Sequence, residues 1–217
     1  MIKVDLHTHS IASRDGGIKP AQYKAVLESG QLDCIAVTDH NRIDMALELH
    51  KSLGSKIIVG EEINTTDGEL IGLFLSHKVE PGQHPRQTAE AIKAQGGLVY
   101  APHPFETVRS GLSLKKLTGI GDLVDIVETL NGRAVFQNRG TQAAGWAKSR
   151  FKPMAASSDA HGYKGLGTTY TKLSEIPTAN NLLSLLYKAQ LVSKRPPLHT
   201  LLHPKFNRIR KRVGKKP

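Results

Sequence analysis

The chain has 217 residues and a formal charge of +11, with 30 Lys and Arg against 19 Asp and Glu. That length suffices for one substantial core, and a single α/β domain fits it. The one cysteine, Cys34, excludes an internal disulfide framework and a cysteine-rich zinc site, and no run approaches the roughly 18 apolar residues of a membrane span. Met1-Ile2-Lys3 leads straight into an apolar run, so a cytoplasmic protein without a membrane partner is expected. Cys34, inside Cys34-Ile35-Ala36-Val37, reads as a small buried hydrophobe.

In chain order, Ile2 to Leu6 is predicted as a strand and Pro20 to Ser29 as a helix with Pro near its start. Cys34 to Val37 is a strand, and Asp44 to Leu53 a helix closed by Gly54. Lys56 to Val59, Glu69 to Leu75 and Leu98 to Ala101 are strands, with a helix from Pro85 to Gln95 before the last of them. Leu123 to Val127 and Met154 to Ala156 follow, separated by a helix from Val135 to Lys148, and a further helix runs from Ala179 to Ala189. Repeated βα units imply a mainly parallel sheet.

Short pieces rich in histidine and carboxylate follow these apolar runs: Asp5-Leu6-His7-Thr8-His9, Thr38-Asp39-His40, Gly60-Glu61-Glu62, Pro102-His103-Pro104 and Ser158-Asp159-Ala160-His161. Ligands spread over the ends of many strands favour a closed barrel, because an open sheet gathers its site at one switch point. Side chains two apart on an extended chain point the same way, so His7 with His9, and Asp159 with His161, can each face one ion. Adjacent residues cannot both point inward. One of Asp39 and His40 is therefore expected to ligate while the other orients it or caps the turn, and Glu61 and Glu62 are alternatives. Imidazole with carboxylate and no thiolate suits Mn, Fe or Zn rather than a dedicated Mg or Ca site. Two or three such divalent ions can bind a phosphate ester and activate water, so the expected partner is a small phosphorylated substrate.

These pieces, with Ser10, Asp15-Gly16 and Asn41, resemble the PHP (polymerase and histidinol phosphatase) phosphoesterases, in the same order from about residue 2 to 175. The resemblance implies a distorted (β/α)7 TIM-like barrel over residues 1–200, followed by a basic tail over 201–217. It implies a metal-dependent phosphoesterase in which His7, His9, Glu62 and Asp159 hold one ion. Asp15, His40 and His161 complete a second, bridged by Glu62, and His103 belongs to a third. Glu62, Asp159 and His161 are thus the catalytic candidates as well as ligands. Many members carry histidine just before the run Leu70-Ile71-Gly72-Leu73, whereas this chain has Glu69 there, also a candidate ligand. The short segment between Phe74 and His103 leaves no room for the small helical insertion of some relatives, so the site is expected to be open.

Arg109, Arg133 and Asn131 lie just past strand-end motifs and are the substrate-binding candidates, a guanidinium offering phosphate two donors. The expected chemistry is in-line hydrolysis by a hydroxide held between two ions, with Arg133 stabilising the added negative charge. Glu128 is expected to support Asn131, His77 and Lys164 to be solvated, and Trp146 and Phe151 to pack in the core. The favoured function is a phosphatase of small phosphomonoesters or nucleotides. The alternatives are an exonuclease or other nucleic-acid phosphodiesterase using the tail, and a non-catalytic binding module. A tail from Lys205 to Pro217 with seven cations and no acid is expected to be extended or loosely helical. Few exposed aromatics accompany it, which disfavours a stacking platform for single strands.

Overall fold

β1 (Ile2–Asp5), β2 (Cys34–Val37) and β3 (Ile57–Thr65) are parallel neighbours joined through helices α1 (Pro20–Glu28) and α2 (Asp44–Leu53). The structure, a computed structural model, describes residues 1–135, 137–194 and 196–214. After β3 come β4 (Gly68–Leu73), α3 (Pro85–Ala94), β5 (Leu98–Ala101), α4 (Leu114–Gly119) and β6 (Ile126–Asn131). The chain continues through α5 (Gly140–Ser149), β7 (Met154–Ser157), β8 (Thr169–Leu173), α6 (Leu182–Leu186), β9 (Gln190–Ser193) and α7 (His203–Arg212). Among the described residues the strands form one sheet in the order β7-β6-β5-β4-β3-β2-β1-β8-β9.

The sheet is a nearly closed, distorted barrel. At one end a bridge between Thr8 and Ala160 draws β1 to β7, with Asp159 N–H donating to His7 C=O and His9 N–H to Ala160 C=O, both at 2.9 Å. At the other end β8 enters as a wedge, and its Thr171 hydroxyl bonds both the N–H and the C=O of Ala156, each at 2.9 Å. The expected parallel sheet needs one correction: β4 is antiparallel to both β3 and β5, and β8 to both β1 and β9. For β4 a tight turn at Thr66 and Asp67 is the cause, with the Thr65 hydroxyl donating to Gly68 C=O (2.7 Å) and Gly68 at φ +136°, open to a residue without Cβ. The strand expected to stop at Val59 therefore runs on to Thr65, with Glu62 opposite Ile71 and Asn64 opposite Glu69.

Other boundaries also shift. Leu123 and Val124 turn back on Ile120, so β6 starts at Ile126. The helix expected from Val135 begins at Gly140, and Phe136 within that expectation lies outside the described residues. The helix expected over Ala179 to Ala189 shortens to Leu182–Leu186 because Gln190 enters β9 against Lys172. α4, β8 and β9 had no counterpart in the expected elements.

Alternation along the strands sorts two cores. Val4, Cys34, Ala36, Ile58, Ile71, Tyr100 and Ile126 fill the interior with Leu182 and Leu186 of α6, while Ile35, Val37, Ile57 and Val59 face the outer helices. Each fully buried aliphatic side chain contributes about 1.5–3 kcal/mol. Trp146 is buried, as expected, but Phe151 is 84% exposed at the tip of a turn with φ +51°. That residue follows the end of α5, where the chain reverses into β7, so its ring has no core to enter. Burial pushes the Cys34 thiol up to about 12. Native protein at pH 8 is expected to leave an aromatic disulfide reagent untouched until guanidinium unfolds it; labelling of the native state within minutes would contradict the packing.

No helix among the described residues is long and apolar enough to cross a membrane. The segment expected as a tail is a docked helix. Asn207 of α7 is 7% exposed and donates its amide to Asp15 C=O (2.8 Å) and His161 C=O (2.9 Å). Lys211 donates to the carbonyls of Ile11 (2.6 Å), Gly16 (2.9 Å) and Ser13. Residues 215–217 of the expected tail lie outside the described residues.

Candidate metal centre

The C-terminal ends of the parallel strands deliver most of the expected residues to one place. His7 and His9 follow β1, His40 follows β2, Glu62 lies in β3, His103 follows β5, and Asp159 and His161 follow β7. Glu69 reaches the same rim because β4 is antiparallel: its beginning, not its end, faces the site. Pleat alternation turns Glu62 inward and Glu61 outward, where Glu61 accepts the Val79 N–H at 2.8 Å. Of the other adjacent pair, His40 enters the cluster, and Asp39 accepts the Ser10 N–H at 2.6 Å.

Glu62 is the centre. Its Oε2 lies 3.3 Å from His7 Nε2, 3.1 Å from His9 Nε2 and 3.3 Å from His40 Nδ1, and its Oε1 lies 3.1 Å from His103 Nε2. Asp159 Oδ1 lies 3.7 Å from His7 Nε2, 3.6 Å from His9 Nε2 and 3.3 Å from His161 Nδ1. Asp15 Oδ1 faces His40 Nε2 at 3.7 Å and His161 Nε2 at 3.5 Å. Glu69 approaches His40 (3.7 Å) and His103 (4.0 Å) and accepts the Asn64 amide at 2.8 Å. Four overlapping groups of three or four donors result: His9, Asp15, His40 and His161; His7, Glu62 and His103; His7, His9 and Asp159; His40, Glu62 and Glu69.

The donor chemistry fits divalent cations. Glu128, fully buried, accepts from His7 Nδ1–H (3.2 Å), the Tyr100 hydroxyl (3.0 Å), the His103 N–H (2.7 Å) and the Asn131 amide (2.8 Å). With its proton on Nδ1, His7 turns a bare Nε2 toward His9 Nε2, 3.1 Å away. His161 likewise donates Nδ1–H to its neighbour's carbonyl at Asp159 (2.9 Å), leaving Nε2 for Asp15. Against the opposing effect of burial, Glu62 and Asp159 raise the affinity of His7 and His9 for a proton, and a divalent cation among these nitrogens and carboxylates would take the proton's place.

The titration behaviour agrees. Burial opposes charge on Glu62 and Asp159, yet the histidines around both, with Arg133 and Arg109 beside Asp159, hold them well below the usual carboxylate range. Burial, with Glu62 and Asp159 nearby, raises Glu69 to about 9, so that without a cation beside it Glu69 holds a proton at neutral pH. Burial, then His9 and Arg133, lowers His161 to about 3, so its imidazole is neutral, as a ligand must be. Several site residues adopt left-handed backbone angles: Asn41 (φ 55°), His103 (27°) and Asp159 (51°). For His103 this is strained geometry, of the kind that marks a site held in place by its surroundings.

The cluster floors a cavity of about 450 Å³ whose wall carries Arg14, Arg109, Arg133 and Arg208. Arg109 donates to Asp159 (2.7 Å), Asn131 and Glu106, and Arg133 lies 3.3 Å from both Asp159 oxygens. The Asn131 amide bonds Glu128, and its oxygen accepts from Arg109 and from the Arg133 N–H at 2.8 Å. It lines up the two arginines with Asp159. His77 and Lys164 are exposed, as expected. Sequence reasoning missed Arg14 and Arg208. Arg14 carried a signal, as the residue before Asp15; Arg208 carried none beyond the general charge of its segment.

The PHP-associated family model matches residues 138–191, from α5 to β9. The uncharacterized protein MJ0417 of Methanocaldococcus jannaschii is 33% identical over 186 residues, spanning 81% of this chain and 72% of the relative. A two-domain protein of Bacteroides vulgatus containing a predicted PHP-like metal-dependent phosphoesterase superposes with a TM-score of 0.65 at 21% identity, over 95% of this chain and 69% of that one. The lesion-specific endonuclease Q of Pyrococcus furiosus superposes with a TM-score of 0.61 at 15% identity, over 88% of this chain and 57% of that one. The chain belongs to the PHP domain family.

Proposed function

We propose that this chain is a metal-dependent hydrolase of phosphate esters, acting as a phosphatase on small phosphomonoesters or nucleotides. The observation that carries this reading is the convergence of His7, His9, His40 and His103 on Glu62 beneath an arginine-lined cavity. His7, His9, Glu62 and Asp159 would hold one divalent ion; His40, Asp15 and His161 would complete a second; His103 and Glu69 would serve a third. When bound, such ions supply Lewis acidity to the phosphoryl oxygens and a nucleophile at neutral pH. Arg133, whose Nε has no partner among the described residues, would take a non-bridging phosphoryl oxygen with Arg109. Asn131 and Glu106 keep the Arg109 guanidinium pointed at the centre, so its orientation is settled before substrate arrives. Glu128 holds the His7 tautomer through the reaction.

Two observations favour a second reading, a nucleic-acid phosphodiesterase. α7 places a basic helix at the cavity edge, and Phe206 on it, in keeping with the few aromatics expected there, is 52% exposed. The endonuclease Q structures share the fold.

The test is purified protein with added Mn²⁺ on mononucleotides, sugar phosphates, an aryl phosphate and an end-labelled oligonucleotide. Phosphate release from the small esters is expected, lost on metal stripping and in Asp159→Ala. Undiminished turnover by stripped protein would defeat the metal-dependent reading, and stepwise shortening of the oligonucleotide would replace the phosphatase by the nuclease.

A further inference from the structure

The docked helix α7 turns its polar side inward and its apolar side outward. Toward the barrel, Asn207 donates its amide to Asp15 C=O and His161 C=O, and Lys211 donates to the carbonyls of Ile11, Ser13 and Gly16. Toward solvent stand Phe206 and Ile209, with Leu202 and Val213 capping the two ends, each between 49% and 63% exposed. At about 100° per residue these four fall within about 60° of arc, on the side away from Pro204, Asn207 and Lys211. Leu198, in the turn before the helix, is exposed as well. A helix on a globular protein ordinarily buries its apolar stripe, and a contiguous apolar patch left outside marks an interaction site.

The flanks of the stripe select what it meets. Arg210 borders it on one side and Lys205 and Arg212 on the other, all three exposed. No Asp or Glu follows Glu175 in the chain. A second copy of the helix would bring like charges together, so pairing of two copies across this face is opposed. A nucleic-acid backbone would satisfy the cations but offers nothing to the apolar side chains at the middle of the face. A stripe of Leu, Phe, Ile and Val between rows of Lys and Arg suits an anionic lipid surface, with the apolar side in the acyl boundary and the cations at the headgroups.

We propose that α7 docks the protein on anionic membrane surfaces through Leu202, Phe206, Ile209 and Val213. The expected lack of a membrane partner follows from the lack of a spanning run, which a helix lying in the surface does not need. Pro204 and Arg208, the α7 residues on the cavity wall, lie on the far side of the helix from the stripe, so docking does not cover the wall they form. The helix is short and its binding reversible, so both parts contribute: each cation near an anionic surface adds about fivefold in affinity, and the apolar stripe supplies the rest.

The test is sedimentation of the full chain with vesicles of phosphatidylcholine, alone or with about a third phosphatidylserine. Co-sedimentation with the mixed vesicles is expected, about tenfold or more weaker with phosphatidylcholine alone, and weaker again as salt rises to about 0.5 M. Phe206→Gln with Ile209→Gln and Val213→Gln keeps every charge and good helix formers, and should cut binding about tenfold or more. All three side chains are exposed, so the triple variant should melt within about 2 °C of wild type. A fall of more than about 5 °C would mean that the stripe is packed within the protein and would overturn the proposal. So would absence of sedimentation with either vesicle, or binding that the triple substitution leaves unchanged, which would reduce α7 to a polycation. A dimer in lipid-free solution that the triple substitution splits would give the stripe to a second copy instead. Tighter binding to polyglutamate than to the mixed vesicles would give it to an acidic protein surface.

Discussion

Glu62→Gln is expected to empty the centre of metal and cut phosphoester hydrolysis by about a thousandfold or more, the scale of losing several kcal/mol of transition-state charge stabilisation. The substitution keeps the shape of the side chain and removes only its charge. That charge faces four imidazoles, at 3.1 Å to 3.3 Å. A carboxamide offers a weaker oxygen donor and an N–H₂ group that would point at nitrogen lone pairs. The barrel should survive, because Glu62 sits at the rim while the interior is filled from Val4 to Leu186 independently of it. Metal content after dialysis, kcat and the far-ultraviolet spectrum decide the matter together. A variant that keeps its full metal content and turns over within a few-fold of wild type would remove Glu62 from the centre of the proposal.

Chelation should lower the melting temperature as well as the activity. A ligand that binds only the native state adds about 2.7 kcal/mol when present at a hundred times its Kd. In a domain of this size that is about 5–10 °C. The structure gives a reason to expect the upper part of this range. Glu62, Glu69, Asp15 and Asp159 crowd together, and Glu69 is raised to about 9 by burial and by the charge of Glu62 and Asp159. Bound cations would displace the proton from Glu69 and attract the charges of Glu62, Asp15 and Asp159. Scanning calorimetry with excess EDTA, and again after adding back Mn²⁺, reads the effect. Identical melting in both states would mean that no ion is held tightly enough to matter.

How far the sequence revealed this arrangement depended on the physics of each segment. The pieces around His7, His40, His103 and Asp159 were legible because period-two alternation beside an apolar strand leaves few ways to orient a side chain. Glu61 and Glu62 were not separable, since the choice rests on the β3–β4 register, although Asp67-Gly68 marks the turn in the sequence. That turn also decided that Glu69 joins the site. β8 and β9 escaped because neither Thr169 to Leu173 nor Gln190 to Ser193 carries a long apolar run or a strict alternation. Phe151 misled because an aromatic beside a helix end suggests packing, whereas the backbone there turns it outward. Asn207 was invisible: a single amide within a basic stretch acquires meaning only from the two carbonyls it meets.

The contact between Asp15 and Asn207 spans 192 positions of the chain. Synthesis runs from the N-terminus at about 5–20 residues per second, so the Asp15 loop leaves the ribosome roughly 10–40 s before its partner exists. Over that interval the strands that carry His7, His40 and Glu62 can pair, but the loop with Asp15 and Arg14 has nothing to close against. The strands that complete the sheet, β7, β8 and β9, are themselves made late, so the barrel and the α7 wall are completed close together. Competence arrives late and at once, when α7 emerges and locks the last wall of the cavity.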